Sequence, residues 1–408
     1  MCIIQDSADD KKKELANMAN IYENASITLV AASAAGADKG FLKPKPIPKI
    51  GLRIPYGQQG TLLLRNQRYV RELDVAPDPT ESRAWCLQES LLSRRCLVYS
   101  SLHLYWACQE LTYADQNTRL AVNPDYLPDY IHHFVQNLPP VFRTQRQGDE
   151  LLEGGWMQLW TFWHNVVSEY SSRQISFLTD RFPAISAVAK KVQDVSGDDF
   201  YAGIWKSNIA REFLWKKATK ENMLSSQLSS VQPRPNVYIA PTWSWLSCLG
   251  RVVYPSCAIC PEFKVKNATV ELVDPLEPFG PVKSGSVTLI GRLEQISIFD
   301  QSRTGFHWLG RKQRNLLEIY SQFGHGKGEA KGFPDAKDEM VQGMEDAWCL
   351  EVGIETATQR WSNTGRRTGL ILKRVGLGDT FQRIGYFREL TSVNHWFQES
   401  ELRTIQIT

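Results

Sequence analysis

Leu15, Met18, Tyr22 and Ala25 recur every three or four residues behind Ser7-Ala8-Asp9-Asp10, which predicts a helix with one apolar stripe and an acidic start. The run Ser26–Ala32 after it is apolar and β-branched, the pattern of a buried strand. Ahead of the helix, Cys2-Ile3-Ile4 reads as the end of another strand. Strand, helix and strand together form a βαβ unit, from which parallel sheets are built. Thr61–Arg65 predicts a short strand. Ser82 is placed as the N-cap of a helix on which Trp85, Gln88, Leu91 and Leu92 share a face, with Arg94 and Arg95 suited to its C-terminal dipole. Cys96–Ser101 and His103–Glu110 then predict a hairpin.

The clearest helical stripe is Trp156, Leu159, Trp160, Trp163, Val166, Val167 and Tyr170. Thr179-Asp180 is read as the cap of the next helix, with Pro183 in its first turn and Ala187, Val188 and Val192 turned inward. Gly203–Ala218 predicts a third helix. Beyond Trp243-Ser244-Trp245 the pattern becomes strand-like over Ser286–Phe299, Ala347–Glu355, Thr368–Gly376 and Arg383–Leu390. The expected fold class is therefore α/β with a parallel sheet at the N-terminus, followed by a helical segment and a β-rich C-terminal region. The expected divisions are 1–95, 96–255 and 256–408, with a flexible Gly/Lys/Asp-rich insertion near 321–343. Residues 43–60 read as a solvated surface insertion, with a basic ligand loop as the alternative, and 115–155 as a connector.

A 408-residue chain can bury a large core, and 42% hydrophobic with 22% charged residues is ordinary for a globular protein. The formal charge of +3 provides no global field for nucleic acid or a membrane surface. Seven of the thirteen Trp fall between Trp156 and Trp245, which points to an aromatic packed middle. No run approaches a membrane span, and the charges from Asp9 to Glu14 exclude a signal peptide, so a cytoplasmic setting with reduced thiols is expected. Cys257 and Cys260 form the one CxxC; with no second pair and no paired His, they read as two thiols near a turn or strand, not as a metal site. His132-His133 reads as exposed. Arg94-Arg95, Lys190-Lys191 and Lys216-Lys217 read as solvated helix ends. Neither GxxxxGK[ST] nor GxGxxG occurs, so no phosphate loop and no cofactor are expected.

Two phrases carry a family resemblance. Cys2, Ile3, Gln5 and Asp6 stand in the first, and Arg83, Trp85, Gln88 and Glu89 in "RAWCLQE". Together they resemble the HET domain of fungal heterokaryon-incompatibility proteins. That family typically carries three blocks: Tyr/Leu-Ser-Tyr-x-Trp-Gly, Trp-x-Asp-x-x-Cys-Ile-x-Gln and Arg-x-Trp-x-x-Gln-Glu. The third is complete here, the second is partial and the first is absent, so the resemblance implies a HET protein started within its second block. Downstream phrases, among them "WHNVVSEYSSRQISFLTDRFPAISAVA" and "YIAPTWSWLS", follow in the order usual for the family.

The resemblance implies a signalling or effector role in self/non-self recognition and programmed cell death. It also implies protein partners, either other HET proteins or the chain itself. The HET fold is thought to resemble flavodoxin-like TIR domains, some of which hydrolyse NAD with a catalytic Glu. By that analogy Glu89 is the candidate catalytic residue and NAD a substrate, set against a structural ion pair of Glu89 with Arg83. An inactive or regulatory fragment that binds full-length relatives is a further alternative. Asp6 reads as the cap of the helix from Ala8, with a site carboxylate as the alternative. Cys2 reads as a small core residue and Trp85 as a packing anchor.

Overall fold

The computed structural model describes residues 7–42, 52–57, 60–64, 78–101, 104–108, 112–114, 153–218, 231–299, 317–321, 329–337, 339, 346–355, 365–389, 397 and 400–408. The chain forms two compact units, Met1–Glu150 and Leu151–Thr408.

In the first unit the apolar stripe forms α1 (Ala8–Asn24), and the following run forms β1 (Thr28–Val30), shorter than the pattern suggested. A small hairpin of β2 (Leu52–Tyr56) and β3 (Gly60–Leu64) comes next. A one-turn helix, Pro79–Ser82, then leads into α2 (Ala84–Leu92). Ser82 closes that first turn by donating to the Pro79 carbonyl at 2.8 Å, and Arg83, with extended backbone, stands at the N-cap of α2. Ser82 therefore does not cap the helix as the sequence suggested, because the preceding proline already starts a turn that consumes its hydroxyl.

β4 (Arg95–Tyr99), β5 (Leu104–Cys108) and β6 (Thr112–Ala114) complete a sheet of order β1-β4-β5-β6. β1 pairs with β4 in parallel, Thr28 opposite Cys96, while β4 and β5 form the antiparallel hairpin. Alternating burial along β4 and β5 gives one core face, made of Ala32, Cys96, Val98, Tyr105 and Ala107 with Val30 against them. The crossover between the parallel strands carries α2, and α1 packs on it. Cys2-Ile3-Ile4 lies outside the described residues.

In the second unit the Trp stripe forms α3 (Glu153–Ser172), burying Leu159, Phe162, Trp163, Val166, Val167 and Tyr170. α4 (Pro183–Ser196) has Pro183 in its first turn and ends on Gly197 at φ 64°, where a left-handed residue suits glycine. Its buried face is Ala184, Ile185, Val188, Ala189 and Val192, whereas Ala187 is half-buried. Thr179-Asp180 lies in a 3-10 turn, Leu178–Arg181, and Phe182 takes the cap position.

The predicted helix over 203–218 is broken. It becomes a two-strand turn of β7 (Phe200–Tyr201) and β8 (Ile204–Trp205), a 3-10 turn, a single helical turn Ile209–Glu212, and β9 (Lys216–Lys217). Trp205, Phe213, Leu214 and Trp215 are all buried, an all-round apolar demand that one amphipathic helix does not meet. Lys216 and Lys217 are buried rather than solvated: Lys217 donates to the Leu249 and Gly250 carbonyls, and Lys216 lies over the Phe333 and Tyr386 rings. The Trp243-Ser244-Trp245 phrase closes this layer, since the Trp245 indole donates to Gly203 O at 2.8 Å and that of Trp215 to Trp243 O at 3.0 Å.

β10 (Val252–Val253) pairs with β9, and β11 (Cys257–Ile259) edges the large C-terminal sheet. That sheet continues through β12 (Lys264–Leu272), β13 (Val282–Phe299), β14 (Leu317–Ser321), β15 (Glu329–Pro334), β16 (Ala347–Glu355), β17 (Arg366–Arg374), β18 (Thr380–Glu389) and β19 (Leu402–Ile407). β13 has 18 residues, long enough to pair β12 and β19 along its first half and β14 and β16 along its second. The pairs β14–β15, β15–β18, β18–β17 and β17–β16 close a ring of six strands. Ile296, Ala330, Ala347, Cys349, Ile371, Ile384, Phe387 and Phe397 form its core. β15 lies within the stretch expected to be a flexible insertion, and Ala330, Phe333, Asp335 and Ala336 there are buried.

Candidate functional site

The third-block residues all stand on or beside α2, at both of its ends. Arg83 is exposed at the N-cap, Trp85 is half-buried in the first turn, Gln88 is 1% exposed, and Glu89 is half-buried one turn from the C-terminus. Gln88 turns toward α1, where its amide approaches the Met18 sulfur at 4.0 Å. Glu89 faces the last turn of α1, and the Tyr22 hydroxyl donates to its carboxylate. Burial first, and then the Glu89 charge, raise the Tyr22 phenol well above its ordinary range, so it stays a neutral donor.

The main chain at this end is held as well. The Glu89 carbonyl accepts from the Ser93 hydroxyl at 2.7 Å and the Ser93 amide at 3.2 Å, and Ser93 pairs with Thr28 at 2.8 Å. Thr28 opens β1, and Ser93 follows α2 directly, two residues before β4 begins at Arg95. Glu89 and Tyr22 therefore sit at the amino ends of the parallel pair, joining the two helices that feed it. Cys86 and Cys96 face Tyr22, and burial pushes the Cys96 thiol up to about 11, so it is protonated and not a nucleophile near neutral pH.

The carboxyl ends of β1 and β4 lie at the other end of α2. Ser33 N donates to Tyr99 O at 3.0 Å, and the Phe41 ring packs edge-on against Tyr99 at 4.9 Å. Both oxygens of the buried Asp78 carboxylate accept from the Ser101 amide at 3.1 Å. Ligands of parallel α/β sheets gather at strand carboxyl ends. The motif thus places Arg83 and Trp85 toward that end and Glu89 toward the opposite one.

Arg83, Trp85, Gln88 and Glu89 are brought onto one helix, while Cys2, Ile3, Gln5, Asp6 and His132-His133 lie outside the described residues. The motif spacing does not point to Tyr22 and Ser93 as partners of Glu89, nor to Asp78 as the acceptor of the Ser101 amide. Tyr22 stands on the α1 stripe, where the period marks only its apolar side, and Asp78 lies between Pro77 and Pro79. In the second unit, burial pushes the Cys257 and Cys260 thiols up to about 12. Among the described residues no group of three or more His, Cys, Asp or Glu is placed to hold a metal ion. A cleft of about 590 Å³ runs along residues 234–240, but its Arg234 guanidinium is taken up by Glu339, Ser247 and the Arg383 carbonyl.

The family model described as heterokaryon incompatibility protein (HET) matches residues 1–89, a span that ends on Glu89. No curated protein and no solved structure matches the chain. Among the described residues no helix is long and apolar enough to cross a membrane.

Proposed function

We propose that the chain acts as a heterokaryon-incompatibility protein, an effector in self/non-self recognition whose output is programmed cell death. The reading is carried by one observation: the HET match over residues 1–89 closes on Arg83, Trp85, Gln88 and Glu89, gathered on the single helix α2. Gln88 is buried against α1, and Glu89 is tied to Tyr22 and, through its carbonyl, to Ser93. The motif in this reading holds the α1–α2 layer to the parallel strands, and the partner of the chain is either a second HET protein or another copy of itself. Regulated expression of the full chain in a filamentous fungal host tests it: loss of viable cells is expected, and undiminished growth at high expression would overturn it.

The half-buried Glu89 carboxylate, with a neutral phenol donor beside it, supports a second reading as an NAD hydrolase. Glu89 there stabilises the oxocarbenium-like charge on the ribose as nicotinamide departs and water adds to the same carbon. The expected result is nicotinamide release from NAD by the purified chain, abolished in Glu89→Gln. No release at high protein concentration rejects this second reading and leaves the first standing.

A further inference from the structure

The ring of strands in the second unit encloses more acid than base. Glu294 on β13 is 9% exposed, Glu351 on β16 is 3% and Glu389 at the end of β18 is 2%. Arg367 at the start of β17 forms its ion pair with Glu351, and Glu294 accepts from the Ser400 hydroxyl at 2.7 Å. Glu389 receives the backbone N–H of Arg367 on one oxygen at 3.2 Å, while its other oxygen, Oε1, is buried with no hydrogen-bond partner. A buried carboxylate in that position is costlier as an anion than as a neutral acid, because burial outweighs the Arg367 groups that offset its charge.

The titratable and charged groups facing Glu389 among the described residues come from two strands. β17 contributes Arg367, and β16 contributes Glu351 and the Cys349 thiol, on which Glu294 of β13 also acts. The two carboxylates thus share one guanidinium that is already engaged by Glu351. Two residues before Glu389, Phe387 stacks on Phe397 at 5.8 Å, and both rings are buried in the ring core. Glu389 and Phe387 lie two apart on β18 and so face the same side of the sheet.

We propose that Glu389 makes the strand ring of the second unit a proton-linked element, held more tightly in mildly acidic than in mildly alkaline surroundings. The ligand is a proton, and the device gives the unit a response to acidification separate from the α2 motif. Burial, outweighing the Arg367 amide and guanidinium, brings the Glu389 carboxyl up to about 7 from its ordinary 4.5. Between those values the unfolded chain has lost the proton and the folded one keeps it, so folding takes up a proton. Rising pH then opposes folding through that window and has no further effect through this group above about 7.

The experiment is thermal unfolding of the full chain at about pH 5.5 and about pH 8, for wild type and Glu389→Gln. The fall in melting temperature from the acidic to the alkaline pH is expected to be roughly 5 °C larger for the wild type than for the variant, and the variant to exceed wild type at the alkaline one. A pH dependence unchanged by Glu389→Gln would overturn the proposal. Should that variant fail to fold, the amide resonance of Arg367 in the wild type decides, since its N–H donates to Glu389. A shift of that resonance with a midpoint near 7 supports the proposal, and a signal flat across the window overturns it.

Discussion

Glu89 and Tyr22 show how one hydrogen bond can tie a motif to the helix beside it. Tyr22→Phe keeps the ring in place and removes only the hydroxyl, leaving a half-buried carboxylate without that donor; a loss of about 1 kcal/mol is expected in denaturant unfolding of the full chain. The second unit offers a stronger case in Arg383, which is fully buried. It pairs with Asp335, donates to the Phe213 and Trp215 carbonyls at 2.5 Å, and lies 3.4 Å above the Trp215 ring. All three guanidinium nitrogens donate, so Asp335→Ala strands a buried charge and is expected to cost about 3–5 kcal/mol, read as a lowered unfolding midpoint. Neither pair was visible in the sequence. Arg383 and Asp335 are far apart in the chain, and nothing local distinguishes them from surface charges.

At the scale of elements, the turn between β7 and β8 fixes how the Trp layer closes. Gly203 has φ 98°, and a Cβ there would meet the Trp245 indole nitrogen at 2.8 Å. Gly203→Ala is therefore expected to cost more than about 2 kcal/mol, through both backbone strain and displaced packing. A comparable unfolding midpoint in this variant would contradict the close approach. The helices α1, α2, α3 and α4 were legible from an apolar stripe of helical period, and β13, β16, β17 and β18 from apolar, β-branched runs, whereas β11, β12, β14, β15 and β19 carry no such run. The segment 203–218 was not legible, since Trp205, Phe213, Leu214 and Trp215 are buried on several sides and imitate a helical run. The same burial takes in Lys216 and Lys217, whose charge suggested a solvated end. In the candidate site, the residues of the third block were legible from their spacing. The bonds of Glu89 to Tyr22 and Ser93 were not, because side-chain hydrogen bonds leave no mark on periodicity.

For the molecule as a whole, a family-model match over residues 1–89 stands at the head of a chain whose larger unit is a Trp-rich helical layer and a ring of strands. The two units offer different handles: α2 with its motif in the first, and the proton-linked Glu389 in the second. The measurement that bears most directly on the function is the count of viable fungal cells after induced expression of the wild-type chain, beside Gln88→Ala at matched protein level. Gln88 is buried against α1 and is part of the motif. Cell death with wild type and recovery of many more survivors with the variant is the result predicted. Equal survival of both, with growth like that of cells lacking the protein, would contradict an effector role.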